Sequence, residues 1–178
     1  MKRLLTVLIL LPVCVLTYAQ GGHFYTSEKL SSNQIIDICQ DKTGYIWVGT
    51  EYGLNKYDGY RFTNYLNEPQ DTTSLCSNVV SYLFTDSKGN LWVGTRRGLD
   101  LYNPVSDQFE HIAMEGAKGI PRINHIIQED DQHLLVGTAG YGLFRLDISS
   151  HRTQKLEGYA LEDNDYFSHI IIDSEGAF

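Results

Sequence analysis

Four residues in this chain carry side chains suited to gripping a small ligand and stand in segments that read as turns: Tyr52, Arg96, Arg97 and Tyr141. A tyrosine ring can stack on a sugar face, and an arginine can fork onto a carboxylate. The competing reading is that these are ordinary exposed turn residues. Other chemistry fits less well. The run Gly137-Thr138-Ala139-Gly140-Tyr141-Gly142 is glycine-rich, but no helix pattern follows it. It reads as a β-turn with one inserted residue, not as a phosphate cradle. The six histidines (His23, His111, His125, His133, His151, His169) lack metal-ligand spacing, there is no Cys-x-x-Cys, and each reads as a surface or edge residue. Glu162-Asp163-Asn164-Asp165 offers oxygens of the kind calcium takes, though an acidic loop is more often simply solvated. With no Gly-x-Ser-x-Gly elbow either, no catalytic residue, cofactor site or metal site is assigned.

The elements that must hold these side chains repeat. Asp41-Lys42-Thr43-Gly44-Tyr45-Ile46-Trp47-Val48-Gly49 returns as Asp86-Ser87-Lys88-Gly89-Asn90-Leu91-Trp92-Val93-Gly94, and a worn copy runs from Asp130 to Gly137. A fourth begins at Asp173, so the leading aspartates step by 45, 44 and 43 residues. A period in the forties with strand signals inside it predicts an all-β fold, a β-propeller with one four-stranded antiparallel blade per repeat. The blades fall at about 31–65, 77–112, 122–156 and 165–178, the last cut short within its second strand at Phe178. Such an incomplete ring leaves sheet faces bare. On its own this piece is expected to be marginally stable and prone to aggregate.

Within the second copy, strands are expected over 79–85, 90–95, 99–103 and 108–112. Asp86 should cap the first turn, with Gly89 supplying the positive φ. The residue three before each leading aspartate is Ile38, Leu83, Ile127 and Ile170, which suggests a core column between blades. Gly49, Gly94 and Gly137 interrupt strands, so a bulky neighbour from the next blade is expected over each. Turns after the first and third strands are short and regular. Those after the second and fourth vary in length and chemistry, and binding residues tend to ride on variable loops over a rigid scaffold. That is the end that carries Tyr52, Arg96, Arg97 and Tyr141.

Residues 1–19 read as a secretory signal peptide: Lys2 and Arg3, an apolar run to Leu16, then Thr17-Tyr18-Ala19 for cleavage. Its removal takes two positive charges and moves the formal net charge from −8 to −10. That balance argues against nucleic acid or an anionic lipid surface as partner. Cys39 and Cys76 enter a compartment that permits disulfides, and they either pair or stay as buried thiols.

The pattern Asp-x-x-Gly-x-Leu/Ile-Trp-Val-Gly-Thr, then Gly-Leu and Tyr-Asn/Asp, resembles the two-component regulator propeller repeat. It is met at Asp41 to Tyr57 and Asp86 to Asn103, with a degraded copy at Asp130 to Asp147. The resemblance implies the sensor region of a hybrid two-component histidine kinase of the Bacteroidetes type, exported to the periplasmic face of the inner membrane. It further implies a longer, membrane-anchored and dimeric parent with kinase and receiver domains, and an oligosaccharide or other small ligand. It assigns no enzyme activity to the residues here. Two other readings stay open at this point: a secreted propeller enzyme (glycosidase, lyase or quinone dehydrogenase), or a propeller used only for protein contacts.

Overall fold

The computed structural model describes residues 30–158 and 169–173. Residues 1–19, His23, the 162–165 loop and the turn of the fourth repeat lie outside that range. The described residues form twelve strands and no helix. They are β1 (Ile35–Gln40), β2 (Ile46–Thr50), β3 (Gly53–Tyr57), β4 (Phe62–Tyr65), β5 (Val80–Thr85), β6 (Leu91–Thr95), β7 (Gly98–Asn103), β8 (Gln108–Ile112), β9 (Ile123–Gln128), β10 (His133–Thr138), β11 (Leu143–Asp147) and β12 (Thr153–Lys155). They make three four-stranded antiparallel meanders, β1 to β4, β5 to β8 and β9 to β12. These are three propeller blades side by side in an open arc. The hydrophobic core lies mainly between blades, because each sheet is apolar on both faces. One cluster joins Trp47 and Leu54 of blade one to Val80, Leu83 and Phe109 of blade two. A second joins Trp92 and Leu99 to Ile126 and Phe144 of blade three.

The strand glycines are where the blades meet. A Cβ on Gly49 would lie 2.6 Å from Val80 Cγ1, and one on Gly94 would lie 2.9 Å from Ile123 Cγ2. The first strand of each next blade thus rests on bare backbone, as the sequence led us to expect. Blade one has no blade before it among the described residues, so the matching side chains Ile35 and Ile38 are 49% and 55% exposed. Polar links run alongside the apolar contact. Asp37 Oδ2 accepts from Leu83 N at 2.8 Å, and Lys42 Nζ donates to Ser87 O. Asp107 Oδ1 accepts from both the Tyr65 and Tyr102 hydroxyls, at 2.7 and 2.6 Å, and so straps blade one to blade two.

The turn aspartates do more than cap. Asp41 Oδ1 accepts from Thr43 N and Tyr45 N, while Oδ2 accepts from Trp47 Nε1 at 2.7 Å. Asp86 repeats this, with Oδ1 on Asn90 N and Oδ2 on Trp92 Nε1 at 2.9 Å. Burial works against ionisation of Asp41, but the hydrogen bonds from Thr43, Trp47 and Tyr45 outweigh it and hold its carboxyl below the usual range.

Blade three corrects the sequence reading by one residue. Asp41 N bonds Tyr45 O, Asp86 N bonds Asn90 O, and the residue that does the same in blade three is Glu129, whose N bonds His133 O at 3.0 Å. Glu129, not Asp130, is therefore the counterpart. Likewise Ile38 faces Val48 and Leu83 faces Val93, but it is Ile126, not Ile127, that faces Val136. A shift of one residue exchanges the two faces of a strand, and Ile126 is the fully buried one. With Leu135 in the tryptophan position, the donor to the acid comes from across the ladder. Arg145 pairs with Leu135 and forks onto Glu129 at 2.5 and 2.7 Å.

Candidate functional site

The β2–β3, β6–β7 and β10–β11 turns lie at one end of the arc and are tethered alike. Glu51 N, Arg96 N and Ala139 N bond the carbonyls of Gln34, Val79 and Arg122, each the residue just before or at the entry to its own first strand. Tyr52 N and Arg97 N each bond the threonine hydroxyl two residues back, Thr50 or Thr95, at 3.1 Å. The frame is constant while the outward side chains change from Glu-Tyr to Arg-Arg to Ala-Gly-Tyr. Tyr52 and Arg97 are thus the same position in consecutive blades. Tyr52 is 56% exposed, and both arginines are exposed.

Arg97 and Tyr141 are brought to the same loop, residues 113–122 between blades two and three. Arg97 lines a hollow there together with Gly119 and Ile120. Tyr141 is half-buried against the blade-three core, and its hydroxyl would sit 2.6 Å from a Cβ on Gly119. It props the loop. Tyr52 stands apart on blade one.

Sequence reasoning missed the group beneath this hollow. Asp100 is fully buried; its Oδ2 accepts from Cys76 N at 2.9 Å, and its Oδ1 has no partner. His111 Nε2 lies 3.9 Å from Oδ1 and bonds Ser74 O at 2.9 Å. Burial pushes the Asp100 carboxyl up to about 6. Burial also pushes the Cys76 thiol up, helped by the Asp100 charge, which is the reverse of an activated nucleophile. Cys76 bonds Thr95, while Cys39 bonds Thr85 near the opposite end of the blades; both are free thiols.

His125 stands on an edge strand, as one of the two expectations had it, but is buried there rather than at the surface. It is 8% exposed on β9, the edge strand of its sheet that faces blade two, with Nε2 3.1 Å from the Tyr82 hydroxyl. Burial, then the neighbouring His169, lowers its affinity for a proton. Asp37, Tyr82 and His125 hold the same place in successive blades, opposite Gly49, Gly94 and Gly137. Glu129, Asp130 and His133 also come close together. Arg145 already neutralises Glu129, and Asp130 holds His133 Nδ1 at 2.9 Å, so these oxygens are occupied.

Residues 29–52 and 74–97 match the family model of the two component regulator propeller. Each match falls on one of the two clean copies of the repeat. A curated relative, "Histidine kinase P4" of Formosa agariphila, is 52% identical over 52 residues, which cover 29% of this chain and 4% of that protein. Among solved structures, the extracellular domain of a B. thetaiotaomicron protein described as a hybrid two component system aligns with a TM-score of 0.51 at 17% identity. The alignment covers 85% of this chain and 31% of that one. YCF48 from Cyanidioschyzon merolae aligns with a TM-score of 0.53 at 14% identity, over 75% of this chain and 43% of that one. At such identities these likenesses establish the propeller fold alone.

Proposed function

We propose that this chain is the ligand-sensing propeller region of an exported two-component sensor, and that it binds oligosaccharides at the end bearing Tyr52, Arg96, Arg97 and Tyr141. The observation that carries the sensor reading is the 52% identity to a histidine kinase across a full repeat length, on top of two regulator propeller repeats. The extracellular placement of the B. thetaiotaomicron neighbour supports an extracytoplasmic location. The site reading rests on geometry: an identical backbone tether at three turns presents different side chains in each blade, which is how a rigid frame varies its recognition surface. Phosphotransfer, membrane anchoring and dimer formation belong to the whole protein in this proposal, with the propeller supplying the input.

Titration calorimetry of the protein against a panel of neutral and acidic oligosaccharides tests this. Saturable heat with at least one member, weakened by Tyr52→Ala or Arg97→Gln, is the expected result. Silence across the panel would sink the oligosaccharide reading.

A further inference from the structure

Blade two has a hollow at the turn where Leu66 fills the space in blade one, and the repeat shows why. Leu54 pairs with Tyr65 and Leu99 pairs with Ile112, so Leu66 and Ala113 occupy the same place one residue further on. In blade one, Leu66 fills the space at the turn: a Cβ on Gly53 would meet Leu66 Cδ2 at 2.6 Å and Ser31 Oγ at 3.1 Å. In blade two, Ala113 cannot reach. The nearest atoms to a Cβ on Gly98 are Cys76 Sγ at 3.5 Å and Ile120 Cγ2 at 3.8 Å. What remains is a hollow of about 270 Å³ lined by Arg97, Leu99, His111, Ala113, Met114 and Ile120, among others.

The charge on its exposed rim runs against the rest of the molecule, although the buried Asp100 lies beneath it. The chain is acidic overall, with a formal net charge of −8. Yet Arg96, Arg97, Lys118 and Arg122 are exposed on the turn and loop that frame the hollow. Their side chains make no hydrogen bond or ion pair among the described residues. The acid in the same loop, Glu115, is taken by Arg152 at 3.7 Å. Exposed cations in an acidic protein, one of them a wall of a mostly apolar hollow, complement a ring that has an apolar face and an anionic edge.

We propose that this hollow receives an acidic sugar unit, a uronate whose carboxylate is held by Arg97 and whose ring lies against Leu99, Met114 and Ile120. The proposal rests on the oligosaccharide reading above and narrows it to acidic oligosaccharides. Arg96, Lys118 and Arg122 then serve neighbouring units along the chain. Tyr141, braced on Gly119, fixes the loop that closes one side.

The test is calorimetry with three probes: a uronate oligosaccharide, the same oligosaccharide with its carboxyl groups reduced, and a sulfated neutral oligosaccharide. The expected result is binding of the uronate probe roughly tenfold or more tighter than the reduced one. Arg97→Gln abolishes that preference. Arg61→Gln, which removes a cation at the opposite end of blade one, leaves it intact. Ala113→Leu refills the space as Leu66 does and removes uronate binding. Equal affinity for the uronate and reduced probes would overturn the proposal while leaving the oligosaccharide reading standing. Binding of the sulfated probe without the uronate would overturn the carboxylate assignment. Heat from none of them overturns the proposal and, if the wider panel is silent too, the oligosaccharide reading with it.

Discussion

Replacing Asp100 with asparagine should stabilise this protein, and should do so only toward neutral pH. Blade one shows what the position requires. Asn55 stands opposite Val48, accepts from Ser31 N at 2.8 Å and donates its Nδ2 to Val48 O at 3.0 Å. Asp100 stands opposite Val93 and accepts from Cys76 N at 2.9 Å, but its buried Oδ1 has nothing to accept from. An ionised Asp100 would turn a second acceptor toward the Val93 carbonyl. A protonated one would donate as Asn55 does. Burial raises its pKa from 3.8 to about 6; the Cys76 amide and the charge of His111 pull it down without overcoming burial. The folded state therefore binds this proton more tightly than the unfolded chain does. The resulting stability is fully present below about pH 4 and is lost as the pH rises through about 6. The interval corresponds to roughly 3 kcal/mol. Asparagine donates at every pH and escapes the loss. Urea unfolding of wild type and Asp100→Asn at pH 4 and pH 8 should give nearly equal stabilities at the lower pH and a gain approaching that size for the variant at the higher. A difference that does not change with pH, or a variant less stable at pH 8, would refute the reasoning.

Other outcomes follow from the same contacts. Gly94→Val puts a Cβ 2.9 Å from Ile123 Cγ2, on strand backbone that cannot easily retreat; overpacking of this kind should cost about 1–3 kcal/mol, and an unchanged urea midpoint would contradict it. Trp92→Phe keeps an aromatic side chain but removes the donor to Asp86 Oδ2, leaving a buried carboxylate short of one partner, and opens a small gap where the indole was larger. A loss of about 2 kcal/mol is expected, with a stability equal to wild type as the contrary result. In blade three, a double-mutant cycle of Glu129→Ala and Arg145→Ala should return a coupling of about 1 kcal/mol. Strict additivity would mean that the forked pair does not stand in for the tryptophan–aspartate bond.

Much of the architecture could be read from the repeat because its markers are local. Trp-Val-Gly-Thr fixes the second strand of a blade, and Asp-x-x-Gly fixes the turn before it. The strands of blade two duly fall within a residue or so of where the text places them. The slip in blade three has a physical origin. The leading acid became glutamate with an aspartate beside it, and the compensating Arg145 lies on the next strand, out of sight of any local pattern. One signal was available: Asp and Trp six residues apart appear together in both clean copies and are both replaced in the third, as expected of bonded partners. The candidate ligand residues fared unevenly for similar reasons. Their common end was readable from the alternation of turns. That Tyr141 is half-buried depends on Gly119 in a distant loop. The hollow depends on Ala113 matching Leu66 across third-to-fourth-strand hairpins of different length, which only the strand register reveals.

Each of the three described copies is one blade, and blades two and three lean on the bare glycine of the blade before. Nuclear Overhauser effects from the Gly49 and Gly94 α-protons test it most directly. Strong cross-peaks from Gly49 to the Val80 methyls and from Gly94 to the Ile123 methyls are expected, since those side chains lie over the glycines. Their absence, with Val80 and Ile123 seen instead beside other partners, would contradict the stacked-blade arrangement.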